Sequence, residues 1–334
     1  KSTTTKLIGN LLRKNKSSSF VGGNLGNPLL NSFLNKKNFT YHVIELSSFQ
    51  LEFVDDFNPN VSILLNLSKD HLDRYRSYQE YISQKKKIFS KNQACYNIIS
   101  YDDKESIKIL KKFNIKNKVS FSISNINADI YYKDGYIYDN FFSKKKKLLI
   151  DKISSDLIGK FNLQNILATY IVSRIFKVSN YIFLNTIKNY KGLPYRNKII
   201  KKNYKFAVIN NSKATNVEST YNCLLNFNNV FLILGGKAKE KDFRKIAYLY
   251  KRINKVYVYG ESANLIEKQL KSKIKVLKFK ELKMLVKKIF EEIKSSSEKV
   301  NILFSPACTS YDQYNNFEER GKHFTELINQ FSKF

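Results

Sequence analysis

Short apolar runs alternate with segments of helical period along most of the chain, the arrangement that builds parallel sheets with crossover helices. Runs at 41–46, 61–67 and 95–99 read as buried strands of a first domain. Alternating stretches between 130 and 150, around Asp134-Gly135, predict a small antiparallel hairpin added to that sheet. Apolar positions then recur at helical spacing from about 162 to 176 and from about 181 to 190. Lys191-Gly192-Leu193-Pro194 ends the second of these helices, because glycine caps it and proline cannot continue it. The domain boundary belongs there, separating 1–192 from 193–334. Beyond it, strands at 206–209, 230–234, 255–259, 274–279 and 300–304 alternate with helical segments and predict a second, Rossmann-like sheet.

A length of 334 residues suffices for two domains that each bury a core. No stretch approaches the apolar run a membrane span needs, and no charged-then-apolar leader is visible, so a soluble protein without membrane insertion is expected. Cys95, Cys223 and Cys308 are far apart and odd in number, which fits neither a disulfide framework nor a zinc site and suits the cytoplasm. The net charge of +31 would ordinarily suggest a nucleic-acid partner. The lysines are instead spread through every segment amid Asn, Ile, Tyr and Phe, so a compositional bias is the simpler reading and no nucleic-acid partner is expected.

Candidate chemistry begins at the first residue. Lys1-Ser2-Thr3-Thr4-Thr5 has the form of the back half of a phosphate-binding loop, whose glycines would lie before Lys1. In such a loop the lysine reaches the outer phosphates, the next hydroxyl ligates Mg²⁺, and the following helix turns its positive end to the triphosphate. The fold class is therefore α/β, a central P-loop-type, mostly parallel sheet domain followed by a Rossmann-like C-terminal domain. Glu45 ends an apolar run and can ligate the Mg²⁺ held at Ser2 or Thr3, although seen alone it would serve equally as a helix cap. His71, in Ser68-Lys69-Asp70-His71-Leu72-Asp73, also follows a buried run and is one of only three histidines; an imidazole at an oxygen-lined site would let Mn²⁺ substitute for Mg²⁺.

Six strings, in order, closely resemble the Mur ligase family: Gly22-Gly23-Asn24-Leu25-Gly26, Glu45 to Glu52, Asp70 to Tyr75, Gly192-Leu193-Pro194-Tyr195-Arg196, Asn211 to Asn216, and Ser305 to Gln313. Within the family they are most similar to the members that add D-glutamate. The resemblance implies a cytoplasmic, monomeric enzyme of peptidoglycan synthesis that joins D-glutamate to UDP-N-acetylmuramoyl-L-alanine at the expense of ATP. It further implies that this chain holds the central and C-terminal domains and lacks an N-terminal domain for the uridine nucleotide sugar. Carried over by position, Lys1, Ser2 and Thr3 serve the ATP phosphates and Mg²⁺, Glu45 and His71 ligate metal, and Asn24 lies beside the muramoyl substrate. Asn162, Asn165, Arg196 and Asn211 fall at ATP-binding positions. Lys213 and Thr215 sit at the acyl-phosphate and D-glutamate end, and Lys239, Ser310, Tyr311 and Phe317 match the D-glutamate pocket. Lys85 matches a lysine carbamylated by CO₂, whose carboxylate-like group would hold the second of two Mg²⁺ ions.

The chemistry agrees with that assignment. Phosphorylating a carboxylate creates a good leaving group and asks the protein mainly for positioning and charge neutralisation. A dianionic amino acid calls for a cation such as Lys239 with hydroxyl and backbone donors near Ser310. Taken singly, Lys239 would be a solvated charge, Ser310 a helix cap and Phe317 a core aromatic. Asn211 departs from the family, which has aspartate there. The rivals are a related ligase, of the Mur or folylpolyglutamate type, acting on another amino acid, and a basic P-loop protein that binds nucleic acid.

Overall fold

The computed structural model describes the chain except residues 35–36, 56, 68–73, 90–94, 113–116, 144–145, 158, 296–297 and 333–334, with backbone alone at 110 and 112. It divides into two units, Lys1–Lys191 and Gly192–Phe334.

The first unit runs α1 (Ser2–Lys14), β1 (Ser19–Gly23), α2 (Asn31–Leu34), β2 (Tyr41–Glu45), α3 (Ser48–Glu52), β3 (Val61–Leu64), α4 (Tyr78–Lys86), β4 (Tyr96–Ser100), α5 (Lys104–Lys112) and β5 (Lys118–Ser122). It continues with β6 (Ile130–Lys133), β7 (Tyr136–Asp139), β8 (Lys146–Leu149), a 3₁₀ turn at Ser155–Leu157, α6 (Lys160–Ile175) and α7 (Asn180–Lys188). Strands β3 to β6 pair in parallel, and β6, β7 and β8 extend the same sheet antiparallel. Asp134 and Gly135 both take positive φ, the backbone a tight hairpin turn with right-handed strand twist demands. Strands β1 and β2 form a separate parallel pair. Leu7, Ile8, Leu11 and Leu12 recur at helical spacing, so α1 buries one face against α6, whose Ile166, Leu167, Tyr170 and Ile171 join the same core.

The second unit runs β9 (Lys198–Lys202), β10 (Phe206–Asn210), α8 (Val217–Leu224), β11 (Val230–Gly235), a 3₁₀ stretch at Arg244–Arg252, β12 (Ile253–Tyr259), α9 (Ala263–Leu270), β13 (Val276–Lys278), α10 (Leu282–Ser295), β14 (Val300–Ala307) and α11 (Phe317–Phe331). The sheet order is β13-β12-β11-β14-β10-β9, parallel except for β9 at the edge. Strand alternation splits the core in two: Ile209, Leu232, Leu234, Val256 and Val258 face one layer, Val208, Phe231, Ile233, Tyr257 and Phe304 the other. Because β14 lies between β10 and β11, the carboxyl ends of three strands meet, at Asn210, Ala307 and Gly235. Open α/β sheets bind ligands at such a place.

Two strands are shorter than their apolar runs predict. The 61–67 run pairs only as far as Leu64, and the 274–279 run only over Val276–Lys278. The flanking Leu65, Leu67 and Ile274 are buried by packing rather than by ladder bonds.

Candidate active site

In the first unit the amino end of α1 and the carboxyl end of β2 converge. Lys1 occupies the N-cap of α1 with no side-chain capping bond among the described residues, and no acidic residue stands in the first turn, at the positive end of the helix dipole. Ser2 and Glu45 are both buried. Asn24 Nδ2 donates to Glu45 Oε1 at 3.2 Å, and the Asn24 amide donates to the Glu45 carbonyl at 2.8 Å. Gly23 permits this approach: its φ is +86°, and a Cβ there would stand 2.4 Å from the Glu45 carbonyl oxygen.

Burial by itself pushes the Glu45 carboxyl up, while the Ser2 hydroxyl, the Lys1 ammonium and Asn24 pull it down, and the group lies below its ordinary range. Glu45 is thus a buried anion whose Oε2 has no hydrogen-bond partner among the described residues. A buried charge left one-sided is costly, and a divalent cation beside Ser2 is a group that would satisfy it. The expected partner His71, with Asp70 and Asp73, lies outside the described residues. Among the described residues no group of three or more His, Cys, Asp or Glu gathers as a metal site.

Asn165 is buried on α6 and accepts from Thr4 Oγ1 at 2.7 Å, while its own amide donates to Asn162 Oδ1 at 3.0 Å. The structure therefore brings Asn162 and Asn165 to the first turn of α1, where Thr3 is half-buried. Lys85 stands on α4 with its ammonium 5.1 Å from the centre of the Tyr81 ring. Of its neighbours, Lys86 is partly buried, which lowers its pKa, and Lys87 donates to the Glu52 carbonyl at 2.9 Å.

In the second unit three loops meet at the carboxyl ends of β10, β11 and β14. Arg196 lies between Tyr195 and Asn197, both in the left-handed backbone region. The Tyr195 carbonyl accepts from the Lys213 amide at 3.1 Å, and the Asn197 amide donates to Asn211 Oδ1 at 3.3 Å. Asn211 is buried and uses both ends of its amide, for Nδ2 donates to Ser305 Oγ at 3.0 Å. Lys213 Nζ sits 3.6 Å over the Phe317 ring, so two of the predicted residues are in contact. Thr215 is half-buried on the same loop.

The loop carrying Lys239 is tied to the loop carrying Ser310 and Tyr311. Lys237 and Thr309 exchange backbone hydrogen bonds of 3.0 and 2.9 Å, and Thr309 Oγ1 adds one to the Lys237 carbonyl at 2.8 Å. Ser310 is buried, whereas Lys239 and Tyr311 are exposed. Sequence reasoning missed the residue that fastens these loops together. Arg320 is fully buried, and its guanidinium donates to the carbonyls of Ser212, Cys308 and Thr309 at 2.8, 3.0 and 3.0 Å and to Ser212 Oγ at 3.1 Å. The signal was available in Glu318-Glu319-Arg320-Gly321, four residues past the Ser305–Gln313 string: Gly321 is where a Cβ would strike the Tyr195 ring at 2.3 Å.

Residues 1–173 match the family model described as the Mur ligase middle domain. A UDP-N-acetylmuramoylalanine--D-glutamate ligase from Rickettsia bellii is 34% identical over 335 residues, 98% of this chain and 73% of that protein. The protein of that name from Wolbachia pipientis wMel is 30% identical over 385 residues, 98% of this chain and 74% of the relative. Among solved structures, the MurF ligase from Thermotoga maritima in complex with ADP superposes with a TM-score of 0.71 at 20% identity, covering 98% of this chain and 78% of that one. A pseudomurein peptide ligase type C from Methanothermus fervidus gives 0.67 at 17% identity, covering 99% and 76%. At these identities the structural likeness speaks to the fold alone.

Proposed function

Because this chain belongs to the Mur ligase family, we propose that it joins D-glutamate to UDP-N-acetylmuramoyl-L-alanine with hydrolysis of ATP to ADP and phosphate, a step of peptidoglycan synthesis. The observation that carries the reading is the buried Glu45 carboxylate, with one oxygen unsatisfied among the described residues, beside the amino end of α1. That is the arrangement a metal–nucleotide complex requires, and it occurs in a chain whose curated relatives bear the D-glutamate ligase name.

Lys1, Ser2 and Thr3 would hold the outer phosphates of ATP, with Asn162 and Asn165 fixing the nucleotide from α6. Mg²⁺, held by Ser2 and Glu45 together with His71 and a carbamylated Lys85, would supply charge neutralisation, and Mn²⁺ would serve in its place. Asn24 orients the muramoyl substrate, whose alanyl carboxylate accepts the γ-phosphoryl group to become an acyl phosphate. Arg196, Asn211 and Lys213 are assigned to the phosphates. The amine of D-glutamate attacks the acyl carbon, and the tetrahedral intermediate collapses to amide and inorganic phosphate. Lys239 and the hydroxyls of Thr215, Ser310 and Tyr311 hold the D-glutamate carboxylates through charge-assisted contacts, and Phe317 contributes to the wall of that pocket.

All three cysteines are buried and unpaired, which suits a reducing cytoplasm, and the enzyme is proposed to act there as a monomer. No helix among the described residues is long and apolar enough to cross a membrane. A panel of D-glutamate, L-lysine, L-alanine and meso-diaminopimelate, offered to the full-length protein with ATP, Mg²⁺ and the nucleotide sugar, tests the specificity. Phosphate release that favours any amino acid other than D-glutamate overturns it.

A further inference from the structure

A second carboxylate, Glu52, stands at the far end of α3 from Glu45 and takes no part in the proposed reaction. Both of its oxygens are engaged by residues that are neighbours in sequence. Arg74 Nη2 donates to Oε2 at 2.8 Å, and the Tyr75 hydroxyl donates to Oε1. Successive side chains of an extended chain point to opposite faces, so two neighbours reach one carboxylate only where the chain bends, as it does from Arg74 to Ser77. The main chain of Glu52 is engaged as well, because Lys87 Nζ donates to its carbonyl at 2.9 Å.

An isolated surface ion pair would hold little. Here the pair is built into packing: the Glu52 side chain is 19% exposed, Tyr75 is buried, and the Arg74 guanidinium lies 4.9 Å from the centre of the Phe49 ring on α3. Phe49 stacks on Tyr75 at 6.0 Å, Tyr75 lies 5.5 Å from the buried Tyr81 ring, and Tyr81 is the ring beside the Lys85 ammonium. Local bonds set the start of α4 directly after Tyr75. Ser77 Oγ accepts from the Glu80 amide at 3.1 Å, and Glu80 Oε2 accepts from the Arg76 amide at 2.8 Å. A shift of Tyr75 is therefore passed to α4 both through its first turn and through Tyr81.

We infer that Glu52 is a positioning residue for the metal site, a clasp that fixes three chain segments bearing candidate ligands against one another. Helix α3 begins just past Glu45 and ends at Glu52. Arg74 follows His71 closely in sequence, and Lys87 follows Lys85. Each segment thus has its anchor at Glu52, the first through its own helix, the second through the carboxylate and the third through the carbonyl. Mg²⁺ demands near-ideal octahedral geometry, so donors drawn from separate segments bind it well only when those segments are held in register. In this role Glu52 touches neither metal nor substrate and acts through the groups it holds.

This inference rests on the metal reading above, and its test separates the two without turnover. Binding of Mn²⁺ alone to the full-length protein is followed by the EPR signal of the free ion in the wild type, Glu45→Gln, Glu52→Gln, Tyr75→Phe and the Glu52→Gln/Tyr75→Phe double variant. Glutamine can accept at only one of the two oxygen positions, and phenylalanine keeps the ring packing while removing the donor. Glu52→Gln and Tyr75→Phe are each expected to raise the Kd for Mn²⁺ at least fivefold, with the double variant no worse than the weaker single one, because both break one clasp. Tyr170→Phe removes a comparable bond to a carboxylate, that of Asp139, elsewhere in the same unit and should stay within twofold of the wild type. An equal loss in Tyr170→Phe would mean general loosening and overturns the proposal, as do losses that multiply in the double variant. Unchanged affinity in the Glu52 and Tyr75 variants, with a loss in Glu45→Gln, overturns the clasp and leaves the metal reading standing; unchanged affinity in Glu45→Gln overturns both. Should Glu52→Gln fail to fold, Arg74→Gln, at a position 52% exposed, reads the same clasp: a fivefold loss supports it and no loss contradicts it.

Discussion

Glu45 shows how a single side chain is committed to charge. The groups around it keep it ionised although it is buried, and one of its oxygens lacks a partner among the described residues. Glu45→Gln keeps the shape and the bond from Asn24 but removes the anion. The variant is expected to lose about 100-fold or more in kcat/KM for ATP, the scale of one lost charge-assisted contact of about 2.7 kcal/mol, and to need more Mg²⁺ for half-maximal rate. An unchanged Mg²⁺ requirement, read from initial rates across a Mg²⁺ titration, would remove Glu45 from the metal site. Lys85, Lys86 and Lys87 call for separate alanine substitutions. Only Lys85→Ala should lose activity severely and recover part of it with added acetate, because the other two are respectively a partly buried lysine and a tether to the Glu52 carbonyl. Equal losses at all three, or no rescue at Lys85, would sink the carbamate. Asn211→Asp would turn the contact with Ser305 round, so that the hydroxyl donates to a carboxylate. Tighter use of ATP by about 1–2 kcal/mol is expected in KM, the gain from one improved polar contact; an unchanged or higher KM would show that the surrounding loop is already fitted to asparagine.

Among elements, the loops of the second unit depend on close backbone approach more than on their own sequences. Gly236 has φ +122°, and a Cβ there would meet the Thr309 carbonyl oxygen at 2.2 Å and Arg320 Nη1 at 3.0 Å. Gly236→Ala should therefore pry the Lys239 loop from the Ser310 loop at a cost of about 2 kcal/mol or more. It is expected to raise the KM for D-glutamate at least tenfold while leaving the KM for ATP within about threefold. Equal changes in both constants would mean that the loop pair does not form the amino-acid site. Arg320 was illegible from periodicity because a buried guanidinium bonded only to neutral groups leaves no charge pattern in the sequence. Strand β1 was missed for a related reason, since Ser19-Phe20-Val21-Gly22-Gly23 is short and ends in two glycines, residues that disfavour strands. Strand β9 was hidden by its lysines, which are what an edge strand carries to avoid unwanted pairing.

At the scale of the whole molecule, the α/β architecture was legible because parallel strands buried on both faces read as continuous apolar runs, as in β10, β11, β12 and β14. The order of those strands was not, because nothing in the run at 300–304 says that β14 inserts between β10 and β11 and so brings Asn210, Gly235 and Ala307 together. Motifs named the candidate residues, while the fold decided which of them share a loop cluster. The proposed reaction has one defining product, and detecting that product is its most direct test. The full-length protein is incubated with ATP, Mg²⁺, UDP-N-acetylmuramoyl-L-alanine and D-glutamate, and the products are read by mass spectrometry alongside inorganic phosphate. One D-glutamyl amide formed per phosphate released, with little release when D-glutamate is left out, is the expected result; phosphate released equally well without D-glutamate, or with no new amide, would contradict the account.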